Sequence, residues 1–304
     1  MKDSRTKTYL FSSLAIILWG CSYIWSDQLI SQGIPIFFFV FIRIILAGLL
    51  LLALNILTGK YVKAEKKDLP KFLLLAFFEP FLYFICETYG LKETGSPTLS
   101  AMLIATIPIF SIAAGVLFFK EQISKVNIAG MVICLLGILL VTMKSGETGE
   151  HLIWGIILLV IAVICEVGHA SVTKKLSETY TSQVIVMYQF LIGSIYLLPT
   201  FLIFGLRGVQ PSWFGIQAIY PILCLALLCS AAAFTLWVST IKKLGVAKSS
   251  IFSALIPVAT AIIAFTLGQE ILEKQQWIGI AVATIGVILS QYNPADEKHI
   301  TQHR

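Results

Sequence analysis

The chain has 304 residues, 58% of them hydrophobic and only 12% charged, with a net charge of +6. Soluble globular domains carry about 25% charged residues, so a water-soluble fold could not cover this much apolar surface. The composition excludes a soluble catalytic domain, and since most lysines and arginines sit in short connections, the positive balance points to membrane topology rather than nucleic-acid binding.

A membrane-crossing helix needs about 20 mostly apolar residues. Ten such stretches are predicted, near 8–26, 35–57, 71–90, 97–119, 126–143, 152–173, 183–206, 217–240, 246–268 and 275–293. All are expected to be helices, because in lipid a helix satisfies its own backbone groups. The expected fold class is therefore all-α, a polytopic membrane protein.

The N-terminal MKDSRTK, with YLFSSLAIIL and LWGC after it, superficially resembles a lipoprotein signal ending at Cys21. Trp19 directly before Gly20 spoils that pattern, so the stretch is read as the first span. Span 1 offers Trp19, Ser22 and Tyr23 as cavity candidates. Span 2 carries Arg43, and span 3 carries Glu79 beside Pro80, then Tyr83. Charges deep in a span usually face the bundle interior or a wet cavity. With a rise of ~1.5 Å per residue, Arg43 and Glu79 both approach the membrane midplane on neighbouring spans, within reach of an ion pair that would be either structural or lining a substrate path.

Span 4 holds Pro108, which removes a backbone donor and loosens its helix. It reads equally as a static packing kink or as a gate. Glu121 closes that span near the interface, where a loop-pairing carboxylate is the plain expectation. Span 5 holds Gly130 and Gly137 on one face, and small residues let membrane helices approach closely. In span 6, Glu166 and His169 are three apart and share a face. They read either as polar lining or as a proton relay. Tyr188 and Gln189 in span 7 and Trp237 in span 8 complete the cavity candidates. Pro257, Glu270, Gly279 and Gly286 follow in the last two spans. The six cysteines, all in or beside apolar stretches, show no metal-ligand spacing and read as small buried hydrophobes.

Several of these residues recur at one offset. Moving 96–143 forward by 149 positions sets Pro108 on Pro257, Glu121 on Glu270, Gly130 on Gly279 and Gly137 on Gly286 without a gap. The chain is thus divided into two repeats, 8–143 and 152–293, of five spans each. Seventeen lysines and arginines fall on one side of the ten-span arrangement and four on the other, which puts both termini in the cytoplasm. An odd number of spans per half makes the second half enter the membrane inverted. Inverted repeats are typical of secondary transporters, whose sites lie near the midplane between the halves.

WGCSYIWS in span 1, Arg43, the proline-bearing span 4, Lys120-Glu121 and the Gly130/Gly137 span resemble one EamA domain, and the second half resembles another. Over about 8–293 the chain resembles the ten-helix EamA transporters of the drug/metabolite transporter superfamily. The resemblance implies a carrier of small metabolites or amino acids, often an exporter, in a bacterial cytoplasmic (inner) membrane. It also implies a bracing role for the Glu121 and Glu270 positions. Where span 1 has Trp19-Gly20, span 6 has Glu166-Val167, a departure from the pattern.

The expected function is alternating-access transport, with a small molecule and the bilayer as partners, protons as a candidate coupling ion, and no cofactor. A channel or lipid scramblase is the first alternative and an intramembrane enzyme the second. No G-x-x-x-x-G-K-[ST] phosphate loop exists for a primary pump. No H-E-x-x-H exists for a metalloprotease, and no other span supplies a histidine to complete a metal site with Glu166 and His169. The substrate, the coupling ion and the oligomeric state are not set by the sequence.

Overall fold

The computed structural model describes residues 2–112, 124–142, 150–246, 249 and 251–290. Within the described residues ten main helices follow one another: α1 (Lys2–Ser31), α2 (Ile36–Leu57), α3 (Leu69–Thr94), α4 (Pro97–Ile112), α5 (Lys125–Thr142), α6 (Glu150–Leu176), α7 (Ser182–Thr200), α8 (Ile216–Leu244), α9 (Ile256–Thr266) and α10 (Lys274–Ser290). Among the described residues there is no strand. Among the described residues six helices, α1 to α3 and α6 to α8, are long and apolar enough to cross a membrane. α4, α5 and α9 are shorter apolar helices.

Some boundaries differ from the hydropathy reading. α3 runs to Thr94 rather than 90, because the polar turn Leu91–Thr94 stays helical until Gly95 closes it at φ 59°. That left-handed conformation is one a glycine adopts without a Cβ penalty. The C-terminal part of span 4, with Glu121, lies outside the described residues.

The packing pairs helices across the two repeats. α5 packs on α10, α2 on α7 and α4 on α9. α3 packs on α6 as α8 packs on α1, and α1 packs on α9 as α6 packs on α4. Exchanging each helix for the one five places along leaves this set unchanged, as two related halves require.

The α5–α10 crossing shows why glycines are there. A Cβ on Gly137 would stand 2.6 Å from the carbonyl oxygen of Gly279, and one on Gly130 would stand 2.7 Å from that of Gly286. The reverse contacts are equally close, 2.8 Å from Gly279 to the Gly137 oxygen and from Gly286 to the Gly130 oxygen. The backbones themselves touch, which is the packing role small residues serve in membranes.

Glu270 braces the two halves. Its carboxylate accepts from Ser96 Oγ at 2.5 Å, from the Thr98 amide at 3.2 Å and from the Thr98 hydroxyl. Ser96 in turn caps α4 through the Leu99 amide at 3.1 Å. Glu270 thereby places a negative charge at the N-terminus of α4, where the orphan amides favour it.

Helices α3 and α8, equivalent in the two repeats, each contain a π-helical turn, Phe77–Leu82 and Leu225–Ala232. Such turns free backbone groups and recur at functional sites. The segment 58–68, which joins α2 to α3, is tied to the α6–α7 junction: Ala64 N–H donates to Tyr188 Oη and Glu65 N–H to Tyr180 Oη, each at 3.0 Å. Tyr180 in turn donates its own hydroxyl hydrogen bond to buried Asp68 at 3.1 Å, and Lys71, 2.7 Å away, is the main cause holding that carboxyl below the usual carboxylate range.

Candidate functional site

A cavity of about 550 Å³ of unfilled space opens between the two halves. The first repeat contributes Trp19, Ser22 and Tyr23 from α1, Arg43 from α2, and Glu79, Tyr83, Phe84 and Glu87 from α3. The second contributes Glu166 from α6, Phe234 and Trp237 from α8. Ile104 and Ile107 of α4 face their repeat equivalents Ser253 and Ile256 across the remaining wall.

Those last four residues straddle two helix breaks. α4 is interrupted at Ala105–Thr106, and a 3₁₀ turn at Ile251–Leu255 precedes α9. Pro108 and Pro257 each stand second in the helical segment that follows. At that position a missing N–H leaves no bond unmade. The break lies one turn ahead of each proline, because the ring removes the amide that would bond the carbonyl four residues back and crowds that turn.

One wall is acidic. The α3 helix is non-helical at Glu79 (φ −148°, ψ 124°), which sets this residue within the π turn and on the cavity. His169 Nδ1 lies 2.9 Å from Glu166 Oε2 in hydrogen-bond geometry, and 3.0 Å from Glu79 Oε2 off the hydrogen-bond axis. Thr173 Oγ1 holds the other ring nitrogen at 3.3 Å. Glu79, Glu166 and His169 are 2%, 8% and 0% exposed. They offer three ligand atoms within 4.8 Å of one another. The third ligand that span 6 lacks in sequence is thus supplied by α3 of the other repeat, and the cluster can hold a proton or another cation.

The other side is aromatic and cationic. Trp19 packs edge-on against Phe234 and Trp237, with ring centroids 5.2 and 5.1 Å away. Its indole N–H donates to the Cys229 carbonyl at 3.2 Å, a group in the π turn of α8. Ser22 turns its hydroxyl to Trp19 O at 2.8 Å. Arg43 Nε donates to Ser230 Oγ at 3.1 Å, and its guanidinium carbon stands 4.3 Å over the Phe84 ring.

Four sequence readings are corrected here. Arg43 forms no ion pair with Glu79. Its partners are Ser230 and Phe84, while Glu79 is drawn to His169 across the repeat interface. Tyr188 does not line the cavity, because its hydroxyl is bonded to Tyr61, Ala64 N–H and Val62 O in the 58–68 segment. Gln189 is sealed in packing at 0% exposure, with neither amide atom hydrogen-bonded. His169 is also off the cavity surface, behind Glu79, Glu166 and the Phe234 ring. Glu87 is the charged residue that sequence reasoning missed. It lies near the end of the predicted span but well inside the longer α3, takes the Tyr83 hydroxyl at 3.1 Å, and has Tyr23 beside it.

The profile of the EamA-like transporter family matches residues 6–143 and again 153–292. The chain belongs to this family. As an EamA-like protein it is a multi-pass membrane transporter and not an enzyme. An uncharacterized transporter of Bacillus subtilis, YetK, is 27% identical over 93% of this chain and 86% of its own. A probable terminal-alkyne amino-acid exporter of Streptantibioticus cattleyicolor is 26% identical over 75% of this chain and 74% of its own. A solved crystal structure superposes with a TM-score of 0.71 over 93% of this chain and 98% of its own, at 14% identity, so the two share a fold.

Proposed function

We propose that this transporter is a secondary carrier, most simply an exporter of amino acids or similar small metabolites, working by alternating access. It would lie in the cytoplasmic membrane with both termini inside. The observation that carries this reading is the mixed acidic and aromatic cavity built from both repeats. Two related halves around one site give two related conformations, each opening to one side. The paired breaks before Pro108 and Pro257 sit on the cavity wall, where a change of bend in either helix would open one side.

The Glu79–Glu166–His169 cluster supplies the coupling step in this account. Two buried carboxylates around one imidazole need added positive charge to be stable in a low-dielectric site. A proton or the ammonium group of the substrate can provide it. Competition between the two for the same oxygens exchanges protons for substrate.

Counterflow tests the carrier reading. Proteoliposomes loaded with an unlabelled mixture of the proteinogenic L-amino acids are diluted into trace radiolabelled ones. A carrier gives transient accumulation of label above the outside concentration. Equilibration without overshoot would indicate a channel, and no entry at all would remove the amino-acid reading.

A further inference from the structure

Resting on the transporter reading above, we propose that Arg43, assisted by Trp237, is the anchor for a carboxylate on the transported molecule, which makes the substrate a zwitterion rather than a simple amine. Arg43 is 2% exposed and borders the cavity. A guanidinium has five N–H donors in a rigid fork. Only the Nε hydrogen has a partner, Ser230 Oγ; among the described residues nothing accepts from the two terminal nitrogens. Glu79 and Glu87 lie near enough to interact electrostatically with this charge, yet neither bonds to the fork.

A buried cation with an empty fork is costly unless something pairs with it. The planar, bidentate group that fits it is a carboxylate.

A second donor points the same way. Trp237 also borders the cavity, and its indole N–H is buried without an acceptor. Trp19, its neighbour, has its own N–H satisfied by Cys229. Trp237 lies seven residues, about two turns, beyond Ser230 on α8, so both tryptophan and Arg43's holder belong to one helix. Donors thus gather on the α2–α8 side, and carboxylates on the α3–α6 side. A dianion such as a phosphate ester would meet Glu79, Glu87 and Glu166 across the space. A zwitterion places its carboxylate on Arg43 and its ammonium on Glu79 and Glu166, leaving the site's net charge unchanged.

The test uses purified full-length protein in detergent, with each proteinogenic L-amino acid paired against its carboxamide in a thermal-shift titration. At least one acid should stabilise the protein, and its amide should bind roughly tenfold to a hundredfold more weakly, as expected for losing hydrogen bonds to a charged group. Arg43→Lys keeps the charge but loses the fork, and should weaken the acid by a similar factor while changing the amide little. Trp237→Phe keeps the ring and removes only the N–H. It stands in if the lysine variant does not fold, with an expected loss of about threefold to tenfold.

Amides that bind as well as acids, an Arg43→Lys or Trp237→Phe protein with parental preference for the acid, or no shift from any acid would each overturn the proposal. Counterflow separates this from the transporter reading. Proteoliposomes that exchange the amides would leave a carrier without a carboxylate subsite, whereas proteoliposomes that exchange neither acids nor amides would remove the amino-acid reading itself.

Discussion

Gly137→Val is expected to leave almost no folded protein. The first added carbon would stand 2.6 Å from the Gly279 oxygen and 2.7 Å from the Ala283 Cα. Those neighbours are backbone, so no side chain can swing aside. Valine adds two further methyl groups to the same gap. Overpacking a well-filled core costs about 1–3 kcal/mol, and separating two helices that rely on close backbone approach removes their contact along the whole crossing. Extraction in mild detergent followed by size-exclusion chromatography should show the monomer peak falling at least about tenfold, a change of ~1.4 kcal/mol or more. Leu135→Ala, on the exposed side of the same helix, should behave like the parent. A parental yield for Gly137→Val would mean that α5 and α10 do not cross at these glycines.

The second large effect concerns coupling. Glu166→Gln is expected to abolish substrate accumulation driven by an imposed pH gradient, while leaving substrate exchange at zero gradient. Glutamine keeps the size and one oxygen toward His169 Nδ1 but cannot carry a proton on and off. The groups that share this environment are Glu79, Tyr83 and Glu87 from α3, Arg43 from α2 and His169 from α6 itself. Any relay must therefore run through the cluster rather than through Glu166 alone. Glu79→Gln should give the same phenotype, since its oxygen faces the same nitrogen at 3.0 Å. The measurement is flux into liposomes with and without the gradient. A parent protein indifferent to the gradient would make the cluster polar lining and nothing more.

Much of this arrangement was legible in the sequence, and the reasons are physical. A span must be apolar, so a charge inside one stands out: Arg43, Glu79 and Glu166 were visible on that ground, and all three border the cavity. Trp19 and Trp237 are two of many aromatics in the sequence, and the structure places both on the same wall. The glycine pairs showed themselves through the repeat, because only close backbone contact needs glycine at matching places in both halves.

What stayed hidden depends on tertiary placement. A ten-helix count gives neighbours in sequence, so Arg43 was matched with Glu79 one span away. The actual partner of Glu79 is a histidine about ninety residues on, brought near by the packing of α3 on α6. Glu87 was hidden by a boundary: hydropathy ends the span at 90, whereas the helix continues to Thr94. Tyr188 looked like a lining residue because its depth alone cannot show that the 58–68 segment folds over to meet it. The π turn of α3 was hinted at by Pro80, but that of α8 has no proline within it and left no mark.

The most direct test of the account is solvent access to Ser22. This residue borders the cavity and is 7% exposed. Ser22→Cys is introduced after the six native cysteines are replaced by alanine, and a membrane-impermeant thiol reagent is applied to right-side-out and to inverted vesicles. Alternating access predicts labelling from each side in turn, slowed from both sides by a saturating substrate. Labelling from one side only, or from neither, would contradict a central cavity that opens alternately across the membrane.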